Sequence, residues 1–369
     1  MSDETRDAPH PEAKRTDEEA DKKPYRYPLK RVHWRFPDPD YTGDMFVWDI
    51  DNTYLRTNFS SWAGLMRIPF ESAEDKVNVG GTSALLKELR HGAGAANEKC
   101  PIYFISASPP QLAKVIEEKM ALDGFEHDGI VFKDQMANIR RGHFRKLREQ
   151  YGFKLSALLA NRKRFPLRAR EYLFGDDSES DASIYSLYAD IAGGRLRGAS
   201  LVATLANLGV GEEDVAHIAA LAEELPEYDP VQKIFIHLEK KTPHDQFAIF
   251  GSDLIATYDS FELALALYAE DKIRLNGMMR VGTELLQDFG FTDLDLLKSF
   301  FRCHRHGILN TRQMVKLTPT LRTAEILPAE FAFEPLKGWE KRLKDAEAAR
   351  ATAQPDRFRT PEKFLTIAG

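Results

Sequence analysis

The chain has 369 residues, enough to bury a sizeable core as one large domain with an appendage or as two ordinary domains. Fifty-one Lys and Arg against fifty-seven Asp and Glu give a net charge of −6, which excludes a uniformly basic sheath for nucleic acid. Hydrophobic residues at 43% and charged residues at 29% exclude a largely disordered chain, and apolar stretches such as Ala199 to Val210 are too short, and broken by Asn207, to span a bilayer.

The first 28 residues carry eight acids, six bases and Pro9, Pro11, Pro24 and Pro28, so they bury too little apolar surface to offset the entropy of ordering. A disordered charged tail is expected there. Charge from Asp3 onward leaves no apolar leader, and Cys100 and Cys303 form no disulfide framework, which together predict a cytoplasmic protein. Leu29 to Thr42 mixes aromatics with prolines and reads as a loop laid over the domain. From Met45 short apolar runs recur, each ending in polar residues: Met45 to Ile50, Ile102 to Ile105, Gly129 to Phe132, Tyr172 to Phe174 and Lys233 to Leu238. Such runs, rich in Ile, Val and Phe, read as strands buried on both faces. Helical patterns fall between them at Thr82 to Arg90, Pro110 to Met120 and Leu155 to Arg164, and strand followed by helix, repeated, predicts a parallel sheet with helices on both faces. After Asp181 the pattern is mostly helical, with Glu212 to Leu225 and Ser260 to Ala269 clearest, and a helical C-terminal region closes with Leu336 to Ala353.

The first run leads into Asp49-Ile50-Asp51-Asn52-Thr53. Residues two apart on extended backbone share a face, so the two carboxylates are expected to leave the strand together and to need a cation. A hard divalent ion such as Mg2+ takes one or two carboxylates and keeps positions for phosphate oxygens and water. One carboxylate can then attack phosphorus while the other supplies a proton to the leaving oxygen. An acidic loop capping a strand would explain this motif alone, but three others follow in order. Ser106-Ala107-Ser108-Pro109-Pro110 puts a hydroxyl at a strand tip before a helix N-terminus suited to an anion. Lys154 stands just ahead of a predicted helix, where its ammonium can reach phosphate oxygens. Gly175-Asp176-Asp177-Ser178-Glu179-Ser180-Asp181 adds carboxylates past a further strand.

In this order the motifs resemble those of the haloacid dehalogenase-like hydrolase superfamily. More narrowly, Asp49 to Thr57, Ser106 to Pro109 and Gly175 through Asp181 to Tyr185 resemble the phosphatidate phosphatase catalytic-domain branch, over about residues 45 to 240. The resemblance implies an α/β fold with a doubly wound parallel sheet, a Rossmann-like haloacid dehalogenase core at 29–273, after the tail at 1–28 and before a helical extension at 274–369. It implies Asp49 as nucleophile forming an aspartyl-phosphate, and Asp51 as acid and then base. Ser106 and Lys154 would hold the phosphoryl group, with Mg2+ on Asp49, the Asp51 carbonyl and Asp176. Asp181 would support the metal or orient Lys154. The family commonly has three residues between the acids of its last motif, a spacing that Asp177 and Asp181 fit, so Asp177 is an alternative to Asp176, as Lys133 is to Lys154. About fifty residues between Asp51 and Ser106 leave room for only a minimal cap, and an open site suits a bulky, polymeric or lipid-borne phosphate ester such as phosphatidate.

Arg140 to Arg170 holds eleven Lys or Arg residues and one acid, Glu149. It reads either as a platform for an anionic substrate or a peripheral anionic membrane contact, or as solvated helix faces paired with acids elsewhere. Cys303-His304-Arg305-His306 matches no common zinc spacing and has no second half. Gly80-Gly81 reads as a helix cap and His237 as a core histidine. The principal reading is a Mg2+-dependent phosphatase. The alternatives are a binding or scaffolding module on the same fold, against which the paired Asp49 and Asp51 speak, and a phosphatase acting on nucleic acid ends or phosphoproteins.

Overall fold

A computed structural model of the chain describes residues 29–56, 76–94, 99–133, 143–178 and 180–335, with scattered positions between 337 and 348. The expected tail at 1–28 and most of the closing helix at 336–353 lie outside the described residues, as does much of the stretch on which the small cap was expected.

Seven strands form one sheet: β1 Leu29–Val32, β2 Asp44–Asp49, β3 Ile102–Ser106, β4 Gly129–Lys133, β5 Arg170–Asp176, β6 Val231–His237 and β7 Leu254–Thr257. Their spatial order is β1-β4-β3-β2-β5-β6-β7, and all neighbours are parallel except β1 and β4. The chain lays β3 and β4 to one side of β2, then crosses to place β5, β6 and β7 on the other. The order therefore reverses between β2 and β5, and their carboxyl ends flank the crevice where open α/β sheets bind ligands.

Two strands depart from the sequence reading. Leu29–Val32 was expected in a loop but pairs antiparallel with β4, Lys30 opposite Phe132. Leu254–Thr257 was not anticipated and extends the sheet beyond β6. Each has four residues, too few to show a period.

Along the strands, successive side chains enter different cores. Phe46, Trp48, Phe104, Phe132, Phe174 and Phe235 belong to one apolar cluster, whereas Val47, Ile105, Val131, Leu173, Ile234 and Ile236 belong to another. Two-residue alternation sends these sets to opposite faces of the sheet. The aromatic face is covered by α1 Thr82–His91, α2 Ala113–Leu122, α7 Ser260–Ala269, α8 Leu275–Asp288, α9 Asp293–Arg305 and α10 Thr311–Thr323. The aliphatic face is covered by α3 His143–Arg162, α4 Asp181–Ala192, α5 Gly198–Asn207 and α6 Glu212–Glu223. The doubly wound arrangement is thus as expected.

The late helices carry their own start signals. Thr292 with Asp295, and Asn310 with Gln313, form reciprocal capping boxes at α9 and α10. Gly81 caps α1 at φ 80°, where a Cβ would also approach Val281 and Leu285 of α8 at 3.2 and 3.3 Å. No helix among the described residues is long and apolar enough to cross a membrane.

Among the described residues, the later part of the basic stretch is largely paired. Arg162 bonds Glu171 at 2.9 Å, Lys163 meets Glu224, Arg170 meets Asp44 at 2.6 Å, and Arg164 lies over the Phe36 ring. Its aromatics Tyr151, Phe153 and Phe165 are buried in the core. Residues 134–142, where the stretch begins, lie outside the described residues.

Candidate active site

β2 is buried along its length and delivers Asp49 at its last position. In phase with Val47, Asp49 faces the side of the sheet covered by α3 and α4, and its partners come from there. Lys154 places Nζ 2.9 Å from Asp49 Oδ1 and also bonds Asp181 Oδ1, with no exposure of either side chain. Lys154 was expected just ahead of a helix. It lies instead inside α3, which begins eleven residues earlier at His143, and a buried helix interior fixes an ammonium more firmly than a loop would.

Past Asp49 the backbone leaves the strand. Ile50 O accepts the amides of Tyr54 and Leu55 at 3.0 and 2.9 Å, and Asn52 takes φ 58°, a left-handed conformation that Asn tolerates. Leu55 then bridges both Asp51 and Asn78, so Asp51 is carried on a tight turn backed by a short paired segment. The expected common face therefore does not extend to Asp51, which meets other partners. Ser106 Oγ, at the end of β3, donates to Asp51 Oδ2 at 3.1 Å, and Ser108 Oγ reaches both Asp51 oxygens at 3.1 Å. The Ser108 amide closes the turn by donating to Ser106 Oγ at 3.0 Å. Ser108 was not assigned a role from the sequence. The signal was its position two residues after Ser106 at a strand end, the spacing of a hydroxyl-stabilised turn.

Asp176 ends β5 and is fully buried. Its Oδ1 accepts the Ser178 amide, while its own amide donates to Asp181 Oδ2 at 3.3 Å. Asp181 opens α4, where the helix N-terminus favours a carboxylate. Gly175 is required by this approach: a Cβ there would fall 2.3 Å from Asp181 Oδ2. Asn52 Nδ2 donates to Ser178 Oγ at 3.1 Å and ties the loops after β2 and β5 together.

The structure separates the two candidate acids. Asp176 lies with Asp49 and Asp181, one donor oxygen from each within 4.8 Å of the others. Asp177 accepts the amides of Lys240 and Thr242 at 2.8 and 3.1 Å, fixing the loop after β6. Lys133 closes β4, two strands away from β2, whereas Lys154 is in contact with Asp49. His237 pairs with Asp176 across the strands and directs Nε2 to Glu239 at 3.3 Å. Burial and the nearby Asp181 carboxylate push the Tyr185 phenol far above its usual range, so it stays protonated.

Among the described residues, three buried carboxylates meet the single Lys154 ammonium, a negative excess with little access to water. An all-oxygen donor set of that kind fits a hard divalent cation. A carboxylate held against a buried ammonium, with a hydroxyl-bonded second carboxylate beside it at a sheet crevice, are parts suited to phosphoryl transfer.

Sequence comparison gives the class: the protein is an enzyme, a phosphatase. Residues 45–198 match the family described as phosphatidate phosphatase APP1, catalytic domain. The matched stretch is less than half of the chain, yet it contains Asp49, Asp51, Ser106, Ser108, Lys154, Asp176 and Asp181. β1, β6, β7, all of α5 but its first residue, and the helices from α6 onward lie outside it. No curated protein and no solved structure is similar enough to the chain to count as a match.

Proposed function

We propose that the protein is a Mg2+-dependent phosphomonoester hydrolase of the haloacid dehalogenase-like type, working through an aspartyl-phosphate on Asp49 with a lipid phosphate such as phosphatidate as substrate. The observation that carries this reading is the division of labour between the two acids. Asp49 is held against Lys154 and the acidic cluster, while Asp51 is held apart by two serine hydroxyls.

In the first step an Asp49 carboxylate oxygen attacks phosphorus and the bond to the leaving oxygen breaks, with Asp51 giving that oxygen its proton. In the second, Asp51 takes a proton from water as the water oxygen attacks phosphorus, and the acyl-phosphate bond breaks to release inorganic phosphate and restore Asp49. The Lys154 ammonium offsets charge on the phosphoryl oxygens and, through Asp181, keeps a fixed position. The Ser106 hydroxyl, turning its one proton from Asp51 to the phosphoryl group, is a second donor to it, and Ser108 continues to orient Asp51. Asp49, the Asp51 carbonyl and Asp176 would hold Mg2+, which when bound neutralises phosphoryl charge and aligns the ester with the nucleophile. A lipid phosphate is favoured over other monoesters by the family match, whose description names phosphatidate phosphatase.

The test is phosphate release by the protein and its Asp49→Asn variant from an aryl phosphate, phosphatidate in mixed micelles and a phosphorylated oligonucleotide, with and without chelator. Release from phosphatidate that disappears in the variant and with chelator supports the proposal. Chelator-resistant release, or release undiminished in the variant, removes the mechanism. Preference for the oligonucleotide removes the substrate assignment.

A further inference from the structure

On the sheet face opposite Asp49, next to the turn that carries Asp51, lies a small cavity. The stacked rings of Trp48, Phe174 and Phe235 line it, together with Thr53 from the turn and Thr82 and Ser260, the first residues of α1 and α7. Its volume for a water-sized sphere is about 10 Å³, which is the room one water needs and no more.

Two residues of this lining carry a buried polar atom with no hydrogen-bond partner among the described residues. They are Trp48, whose Nε1 is sealed in a side chain with no exposure, and Thr53, whose Oγ1 belongs to a residue 4% exposed. Such a group loses its hydration without return, and nearly all of them in folded proteins are paired with protein or with ordered water. Indole nitrogen only donates, whereas a threonine hydroxyl both donates and accepts. Thr82 spends its proton on Val79 O at 2.7 Å and keeps lone pairs for a further donor. One donor, one hydroxyl of either sense and one acceptor match a single water, which usually makes about three hydrogen bonds when buried. The same indole N–H turns away a cation.

We propose that Trp48, Thr53 and Thr82 hold one ordered water against the catalytic turn, and that Thr53 is thereby a positioning residue for Asp51. Thr53 stands two residues after Asp51, within the turn whose later amides close on Ile50 O. Through the water its hydroxyl is tied to the end of β2 and to the start of α1. The turn is braced from the aromatic face, while Ser106 and Ser108 hold the Asp51 carboxylate itself. A proton donor that must meet the leaving oxygen in one direction loses rate when its backbone shifts, even where the substrate still binds. The effect on rate rests on the reading of Asp51 as acid and base; the water does not.

The water is read by magnetisation transfer from solvent to the indole N–H groups of the full-length protein carrying 15N-labelled tryptophan, the Trp48 signal being assigned by its loss in Trp48→Phe. The proposal expects a long-lived water at the Trp48 N–H, absent in Thr53→Val, which keeps the shape of the side chain without its hydroxyl, and present in Thr53→Ser. With an aryl phosphate as substrate, Thr53→Val should lower kcat about tenfold and change KM by less than about twofold, and Thr53→Ser should recover most of the loss. No water at the Trp48 indole of the unmodified protein overturns the proposal. Unchanged kcat in Thr53→Val, or a loss that Thr53→Ser does not recover, overturns the positioning role. If the unmodified protein releases no phosphate, the acid-base reading of Asp51 fails and the positioning role falls with it, while the indole signal still decides the water.

Discussion

Replacing Asp49 with Asn should abolish catalysis while leaving the metal-free protein at least as stable as before. The reason is the charge balance of the buried cluster. Unit charges 4.8 Å apart repel by about 3.5 kcal/mol at an effective dielectric near 20, and Asp49 faces two such neighbours, Asp176 and Asp181, at that separation or less. Its attraction to Lys154 at 2.9 Å returns about 6 kcal/mol on the same scale. The balance is about 1 kcal/mol against the Asp49 charge, before counting several kcal/mol of desolvation. Asn removes that charge at nearly constant volume, and Lys154 keeps Asp181. Urea unfolding in chelator should therefore show an unchanged or raised midpoint for Asp49→Asn. Adding Mg2+ at a hundred times its dissociation constant should stabilise the unmodified protein by about 2.7 kcal/mol, and the variant by less. Phosphate release by the variant should fall to background. A variant less stable than the parent by more than about 2 kcal/mol in chelator would show that Lys154 already satisfies Asp49, and the argument for a cation drawn from charge imbalance would fail.

Three further outcomes concern Lys154, Gly175 and His127. Lys154→Met leaves buried carboxylates without their cation and should cost about 3–5 kcal/mol, part of it recovered when Mg2+ is added; no recovery by denaturant titration would place the metal elsewhere. Gly175→Ala puts a Cβ against Asp181 Oδ2, so kcat should fall with a loss of about 1–3 kcal/mol, and an active, fully stable variant would contradict the packing. His127 is pushed down to about 4, chiefly by burial, with Asp128 opposing and His33, Arg35 and Arg90 adding to the shift. The unfolded chain then takes up a proton below about 6.5 that the folded protein refuses until about 4. Stability should fall through that window on acidification, by at most about 3 kcal/mol, and urea midpoints of His127→Gln should lack that part of the slope.

Much of the site was legible because its acids sit at strand ends, where an apolar run stops abruptly. Met45 to Trp48 followed by Asp49 and Asp51, and Tyr172 to Phe174 followed by Gly175-Asp176, mark β2 and β5 from composition alone, and their parallel pairing follows from the helices between them. The partner of Asp49 was legible in order but not in setting. Phe153 to Ala160 is apolar on nearly every position and fully buried, so no periodicity locates the start of α3, and Lys154 looked like a residue outside a helix rather than one sealed within it. β1 and β7 were lost for a different reason: four residues at or near a sheet edge carry no alternation. The choice between Asp176 and Asp177 was beyond sequence spacing, since it depends on a loop sixty residues later whose amides capture Asp177.

The alternation that sends Asp49 towards α3 and α4 sends its neighbours Trp48 and Phe174 to the opposite face, where their rings stack at 4.2 Å and Phe174 meets Phe235 at 4.9 Å. Beyond α1 and α2, that aromatic face is closed by helices outside the family-matched stretch. Met278, Val281 and Leu285 of α8, Leu296 and Phe300 of α9, and Leu317 and Leu321 of α10 are buried in the same cluster as Trp48. Arg280 bonds Glu88 of α1 at 2.6 Å, and Arg302 bonds Asp259 at 2.9 Å at the cap of α7. Each large apolar side chain so buried is worth about 1.5–3 kcal/mol, and seven of them, about 10–21 kcal/mol together, match or exceed the whole stability of an ordinary domain, about 5–15 kcal/mol. A chain ending at Ile273 should therefore expose the faces of α1 and α7, aggregate or remain molten, and release no phosphate. Cooperative unfolding of that truncated chain, measured by circular dichroism in urea with undiminished phosphatase activity, would instead show that the late helices only dress a self-sufficient sheet.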